Sequence, residues 1–211
     1  MLNRSRLVLA ALAAVALLAV AVDGASAGRL SVTERNFELI WNEALTGKSK
    51  LEFNAASMQA IQCNVTYLGH FIERTITKTT GNNQGAITHG ELSGCVGGLV
   101  TLRTETMPWN LRYRSFAGAL PNITGLGLGI VNAQYRAESS GLTCEVATEV
   151  NAPAVVTLET FSAGAPENVR ADENATIPLG GACAFISPGR IGGRGLIRNL
   201  PRTAKLTITL I

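Results

Sequence analysis

Apolar and polar positions alternate along most of the chain with a period of two residues. The stretch from Ile61 to Tyr67 is an example, because Ile61, Cys63, Val65 and Tyr67 share one face and polar residues stand between them. Similar short runs recur at intervals of about 8 to 15 residues, separated by Gly, Asn and Pro. This period is typical of strands that bury one face. The sequence therefore predicts an all-β fold, either a β-sandwich or a closed barrel of short antiparallel strands.

One segment departs from this pattern. The residues from Phe37 to Leu45 fit a helical spacing, but Phe37, Leu39 and Trp41 also alternate like a strand. A turn-like sequence follows at Thr46, and a short alternating piece returns at residues 51–53. We interpret the segment as a β-hairpin.

The first 27 residues have the features of a secretory signal peptide. Arg4 and Arg6 precede an unbroken apolar run from Leu7 to Val22, and the run is followed by an Ala-Ser-Ala site at residues 25–27. The run is shorter than the roughly 20 residues that span a bilayer. Cleavage after Ala27 is therefore favoured over a retained membrane anchor, although the sequence leaves the anchor open.

The remaining residues, 28–211, are enough for a single all-β domain with its own core. No later stretch is long and apolar enough to form a transmembrane helix after signal cleavage. The full chain has a net charge of only +3, which argues against nucleic acid as a general partner. No cofactor-binding motif is complete, so we expect no cofactor.

The four cysteines of an exported chain favour two disulfides over free thiols. Three connectivities are compatible with the sequence. Pairing of neighbours along the chain favours Cys63 with Cys95 and Cys144 with Cys183, and each bridge would contribute about 3 to 4 kcal/mol by constraining the unfolded chain.

Charge is unevenly distributed in the last third of the chain. Seven acidic residues and one basic residue lie in the stretch from Glu138 to Glu173, whereas all charged residues after position 174 are basic. Among them, Arg190, Arg194 and Arg198 are four residues apart in a glycine-rich stretch. With Trp109, these arginines form our candidate binding surface, on loops at one end of the domain. The simpler alternative is that the basic stretch pairs with the acidic one.

Candidate catalytic and metal sites are weak. Cys63, Cys95, His70 and His89 could supply a tetrahedral zinc site, but their spacing is not that of a zinc finger. An oxidising compartment would join the two sulfurs instead, so we expect no metal. The mature chain also contains no G-x-S-x-G or S-x-x-K nucleophile motif.

Five short motifs lie between Ile61 and Gly125. They are Ile61-x-Cys63-x-Val65-Thr66, Gly69-x-Phe71, Cys95-x-Gly97-Gly98, Pro108-Trp109-x-Leu111-x-Tyr113 and Pro121-x-Ile123-Thr124-Gly125. In these motifs the chain resembles uncharacterised secreted β-rich proteins of actinobacteria. The resemblance implies export and a β-rich fold, but it carries no assigned activity and no catalytic residues.

Together these patterns predict a non-enzymatic domain, secreted or held in the cell envelope, that has a binding or structural role outside the cell. Its partner would be an unidentified extracellular or cell-wall ligand. The alternative is a secreted hydrolase whose site depends on His70 or His89, in a form that no known motif describes.

Overall fold

A computed structural model describes residues 29–54, 59–119, 122–172, 176–183, 189–200 and 206–211. The predicted signal peptide lies outside these residues. Two short helices are present within them, the α-helix α1 (Glu43–Thr46) and a 3-10 helix (Thr104–Thr106). None of the helices in the described ranges is long and apolar enough to cross a bilayer.

Strands make up most of the described chain, which confirms the all-β prediction. Their bounds are β1 Leu30–Val32, β2 Asn36–Trp41, β3 Leu51–Asn54, β4 Ile61–Phe71, β5 Thr75–Ile76, β6 Asn83–Val96, β7 Leu99–Leu102, β8 Trp109–Ala119, β9 Asn122–Val131, β10 Gln134–Ser139, β11 Leu142–Ala147, β12 Ala154–Ser162, β13 Ala165–Ala171, β14 Leu179–Gly181, β15 Arg190–Asn199 and β16 Ile208–Leu210.

Eight antiparallel strands form a closed ring, which we call the barrel. Their order is β2, β4, β6, β8, β9, β12, β13 and β15, and the pairing of β15 with β2 returns the ring to its start. β15 also pairs with β13, the preceding strand of the ring, so that it has a neighbour on both sides. Because every strand of the ring has a neighbour on each side along part of its length, the backbone groups there are satisfied within the ring.

The alternating sequence pattern determines which side chains enter the barrel. In β4, Ile61, Cys63, Val65 and Tyr67 are buried, and the polar residues between them face outward. This agrees with the faces predicted for this strand. Successive side chains of a strand point to opposite sides of the sheet, so a period of two separates core from surface.

Two smaller sheets contribute to the same core. One contains β7, β10, β11 and β14, and the other contains β1, β5 and β16. Tyr135 of β10 contacts Trp109 of β8 and Phe53 of β3, with ring centroids 5.3 and 5.6 Å apart. Leu30 and Ile208 of the three-stranded sheet are fully buried in the same cluster. The described residues therefore share one hydrophobic core.

Aromatic side chains fill the centre of this core. Trp41 contacts Tyr67, and Tyr67 contacts Trp109, with centroids 6.0 and 5.9 Å apart in edge-to-face arrangements. Such pairs add about 0.5–1.5 kcal/mol each beyond the area that they bury. The two hydroxyl groups in the cluster, on Tyr67 and Tyr135, are 3.4 Å apart and hydrogen-bond to each other.

Both disulfides connect neighbouring parts of the sheets. Cys63 of β4 is joined to Cys95 of β6, and Cys144 of β11 is joined to Cys183, which follows β14. These are the two pairs that the sequence analysis favoured. The loops that they close span 32 and 39 residues, so each bridge stabilises the fold by about 3 to 4 kcal/mol on the chain-entropy model.

The predicted hairpin between β2 and β3 is wrong. The two strands run in the same direction and do not pair with each other, because both lie between β4 and β15. They act as one strand of the barrel that is interrupted by residues 42–50. The alternation of Phe37, Leu39 and Trp41 correctly indicated a strand. The residues after it form α1 rather than a hairpin turn, and the chain then returns as β3 to the place between β4 and β15 that β2 had occupied.

Candidate functional site

A cleft lies where the barrel strand is interrupted. After Trp41 the chain leaves the sheet, forms α1, and returns at Leu51; we call residues 42–50 the excursion. Asn42 caps α1, since its Oδ1 accepts a hydrogen bond from the Leu45 backbone N–H at 3.1 Å. Gly47 ends the helix at φ 63°, a conformation that favours glycine. The short helix thus has defined caps at both ends.

Three hydrogen bonds fix the excursion and Trp41, the residue before it, to β15. Ser49 Oγ accepts from the Arg194 N–H at 2.8 Å and donates to the Arg194 carbonyl at 3.2 Å. The indole N–H of Trp41 donates to the Gly193 carbonyl at 3.3 Å. Gly193 itself has φ 132°, and a Cβ there would lie 2.7 Å from the Lys50 carbonyl oxygen. A side chain at position 193 would therefore displace the excursion.

The cleft that results has a volume of about 350 Å³. This is within the range of roughly 300–1,000 Å³ that is usual for small-molecule sites. Two glycines of β15 leave one side without side chains, and the other sides come from the excursion, β3 and β4. The lining residues are Glu43, Ser49, Lys50, Glu52, Gln62, Gly192 and Gly193.

Hydrogen bonds order the polar side chains of the cleft. Glu52 lies opposite Gln62 in the sheet, and Gln62 Nε2 donates to Glu52 Oε2 at 3.0 Å. Lys50 Nζ donates to the Gly94 carbonyl of β6 at 2.9 Å. The lining therefore carries two carboxylates and one ammonium group, which can bind a polar ligand from several directions.

The arginines of the predicted binding surface lie on β15 rather than on a loop, so the loop expectation is wrong for this segment. At about 3.3 Å per residue, positions four apart are about 13 Å apart along a strand. Arg194 Nε is 3.3 Å from Glu159 Oε1, and Arg170 Nε is 3.3 Å from Glu159 Oε2. The simpler alternative, pairing of the basic stretch with the acidic one, thus holds for Arg194.

The other two arginines have separate surroundings. Arg190 is exposed and lies at an apolar cavity of about 20 Å³ between β3, β4, β11 and β15. Arg198 is half-buried and stands opposite Glu38 of β2. The structure therefore does not bring Arg190, Arg194 and Arg198 close enough together to contact one small ligand. The backbone of Arg194 hydrogen-bonds to Ser49, a residue that lines the cleft.

Trp109 does not belong to any exposed surface, and its assignment to the binding surface is wrong. Its side chain is 0% exposed, and its indole N–H donates to Thr106 Oγ1 at 2.8 Å. Trp109 is the first residue of β8, and its side chain points into the barrel against Tyr67 and Tyr135. The residues just before it form the 3-10 helix, which places the tryptophan inside.

The histidines and cysteines do not combine into a zinc site. The sulfurs of Cys63 and Cys95 are bonded to each other, and a disulfide supplies no thiolate ligand. His89 Nε2 lies 3.1 Å from Glu91 Oε1 on the exposed face of β6. Within the part of the chain that the structure describes, no group of three or more His, Cys, Asp and Glu side chains could hold a metal ion.

Sequence reasoning missed the cleft. Five of its residues lie between positions 43 and 62, and the other two, Gly192 and Gly193, come from β15 about 130 residues later. None of the seven carries a recognised catalytic or ligand-binding motif. Two signals were present: the polar interruption between Trp41 and Leu51, and the Gly192-Gly193 pair inside a β-rich run. A glycine inside a strand often marks a bulge or a close approach of another backbone.

Comparison of the chain with protein-family models, with curated proteins and with solved structures found no match. The resemblance to secreted actinobacterial proteins therefore stays a prediction.

Proposed function

We propose that this protein is a non-enzymatic binding domain that acts outside the cytoplasm, either secreted or held in the cell envelope. The observation that carries the proposal is the polar cleft, which is built where a barrel strand is interrupted and is held open by two glycines of β15. Smaller interruptions of a strand, the β-bulges, are common at the rims of barrels and next to active sites.

The position of the cleft on a rigid scaffold supports a binding role. Glu52 and Gln62 are on strands, and the Cys63–Cys95 bridge ties β4 to its neighbour one residue from Gln62. Side chains that are held by strands lose little freedom on binding, which favours affinity. The two disulfides and the signal-like first 27 residues support export, because disulfides persist in oxidising compartments.

The proposal is tested by measuring retention of the purified mature chain on immobilised polysaccharides that are neutral, anionic or cationic. We expect at least one class to retain the protein. Replacing Gln62 with Trp should abolish retention, because the larger side chain at this exposed position would cover the cleft. The matched control is Glu91→Trp, which adds the same bulk at an exposed position on β6 outside the cleft.

Two results would contradict the proposal. If no polysaccharide retains the wild-type protein, or if Gln62→Trp and Glu91→Trp behave alike, the cleft is not the binding site. Cell fractionation tests the location separately, since a binding domain of the envelope should be found outside the cytoplasm with both bridges oxidised.

The contact between His89 and Glu91 supports a second candidate function, a His-dependent hydrolase. A carboxylate 3.1 Å from an imidazole can orient it as a general base. A turnover screen with esters, peptides and glycans tests this candidate, together with the His89→Ala and His70→Ala variants. Activity that either substitution abolishes would replace the binding proposal by the hydrolase.

A further inference from the structure

Each donor side chain of the cleft already donates one hydrogen bond to an oxygen of the protein. Lys50 Nζ donates to the Gly94 carbonyl at 2.9 Å, and Gln62 Nε2 donates to Glu52 at 3.0 Å. Ser49 Oγ donates to the Arg194 carbonyl at 3.2 Å. These bonds use the only O–H of Ser49, but they leave two N–H groups on Lys50 Nζ and one on Gln62 Nε2.

The acceptors of the cleft, in contrast, are largely open. Among the described residues, the Glu43 carboxylate makes no hydrogen bond and no ion pair, and it is exposed on the excursion. Glu52 receives one hydrogen bond on Oε2, which leaves Oε1 for a ligand. An ionised carboxylate has about four lone-pair sites. The open oxygens of these two carboxylates therefore favour a ligand that brings hydrogen-bond donors.

The net charge of the lining residues also favours a ligand that carries donors. The lining contains two carboxylates and one ammonium group, so its balance is negative, whereas the chain as a whole is basic. Hydrogen bonds to a charged group are stronger than those between neutral groups. A ligand with a protonated amine would gain both the donors and the charge.

The shape and polarity of the lining distinguish between sources of such an amine. A lysine side chain carries a long aliphatic stem, which is best placed against apolar walls. Here five of the seven lining residues have polar or charged side chains and the other two are glycines. A compact ring with several hydroxyl groups fits this lining better than an aliphatic stem does.

We propose that the cleft binds a polyhydroxylated primary amine in its protonated form, the chemistry of an amino sugar in a polysaccharide. Glu52 and Glu43 accept hydrogen bonds from the ammonium group and the neighbouring hydroxyls. This inference rests on the proposed binding function and specifies its ligand class.

The experiment compares two matched ligands by isothermal titration calorimetry with the full mature chain. One is a glucosamine oligomer, and the other is the N-acetylglucosamine oligomer of the same length, which is neutral. We expect binding of the amine form only, with an affinity that falls as salt is added. Glu52→Gln and Glu43→Gln should each weaken binding at least about tenfold.

The charge control is Glu149→Gln, because Glu149 is exposed on the turn after β11 and does not line the cleft. This variant should bind like the wild type. A near-ultraviolet circular dichroism spectrum identical to that of the wild type shows that each variant is folded. Equal losses in Glu52→Gln and Glu149→Gln would mean that the effect is general electrostatics, which overturns the inference.

The remaining outcomes separate this inference from the proposed function. If both oligomers bind equally, or if only a neutral or anionic polysaccharide binds, the cleft remains a binding site but the amine requirement is wrong. If a lysine oligomer binds as well as the glucosamine oligomer, the site recognises a peptide amine and the sugar assignment is wrong. If no carbohydrate binds, the inference and the proposed function both fail.

Discussion

The buried pair of Tyr67 and Tyr135 allows a quantitative test of how the core is stabilised. Both side chains are about 1% exposed, and the Tyr67 hydroxyl donates to the Tyr135 hydroxyl over 3.4 Å. In the described part of the chain, neither hydroxyl has another hydrogen-bond partner. Removing one hydroxyl therefore leaves the other buried without a bond, which costs about 1–3 kcal/mol.

A double-mutant cycle follows from this arrangement. We expect Tyr67→Phe and Tyr135→Phe each to lower the free energy of unfolding by about 1–3 kcal/mol. The double variant removes both polar groups and keeps the ring shapes, so its loss should be smaller than the sum of the single losses. Urea denaturation with both disulfides intact measures all four free energies. Strictly additive losses would refute the reasoning.

The same pair predicts how stability depends on pH. Burial raises the pKa of Tyr135 to about 12 from its ordinary value of 10.0, and burial together with the neighbouring Tyr135 raises the pKa of Tyr67 well above that value. Because both pKa values are higher in the folded state, this stability is fully present below pH 10. It is lost as the pH rises through the folded-state pKa values.

The magnitude follows from the shift. The change from 10.0 to about 12 at Tyr135 alone corresponds to roughly 3 kcal/mol. We expect the free energy of unfolding of the wild type to fall steeply between pH 10 and 12, and that of the double Phe variant to fall much less. Tyr113, whose pKa burial also raises, accounts for a remaining slope in the variant. Identical slopes in wild type and double variant would contradict the argument.

Three further predictions concern the barrel. Gly195→Ala should lower the free energy of unfolding, measured by urea denaturation, by about 2–3 kcal/mol, because the new Cβ would lie too close to the Ile40 carbonyl oxygen. The control Gly180→Ala, whose nearest contact is at 3.6 Å, should cost clearly less. Equal losses in the two variants would argue against the close approach at Gly195. Replacing Cys63 and Cys95 together by Ser should lower the free energy of unfolding by about 3–4 kcal/mol, and a loss below about 1 kcal/mol would mean that the bridge adds little. Trp109→Ala should cost about 3–5 kcal/mol because the side chain is fully buried, and a surface-like loss under about 0.5 kcal/mol would contradict its place in the core.

Much of the secondary structure could be predicted from local patterns. The alternation in β4 identified the strand and its buried face, and the cysteines of β4 and β11 pair with the partners that their order along the chain favoured. Both inferences succeed because they depend on short-range properties, the period of a strand and the length of a loop. The candidate surface of Arg190, Arg194, Arg198 and Trp109 rests on residue type and on spacing along the chain, and neither determines the direction of a side chain.

The sequence by itself determined that strands with one apolar face would build the domain and that four cysteines would be available to join them. Only the tertiary structure decided which strands are neighbours, that β2 and β3 share one place in the ring, and that Glu43, Glu52 and Gln62 meet in one cleft. The physical reason is that a period of two specifies the faces of a strand but not its partner. Pairing is a choice among distant segments, made by the packing of the whole core.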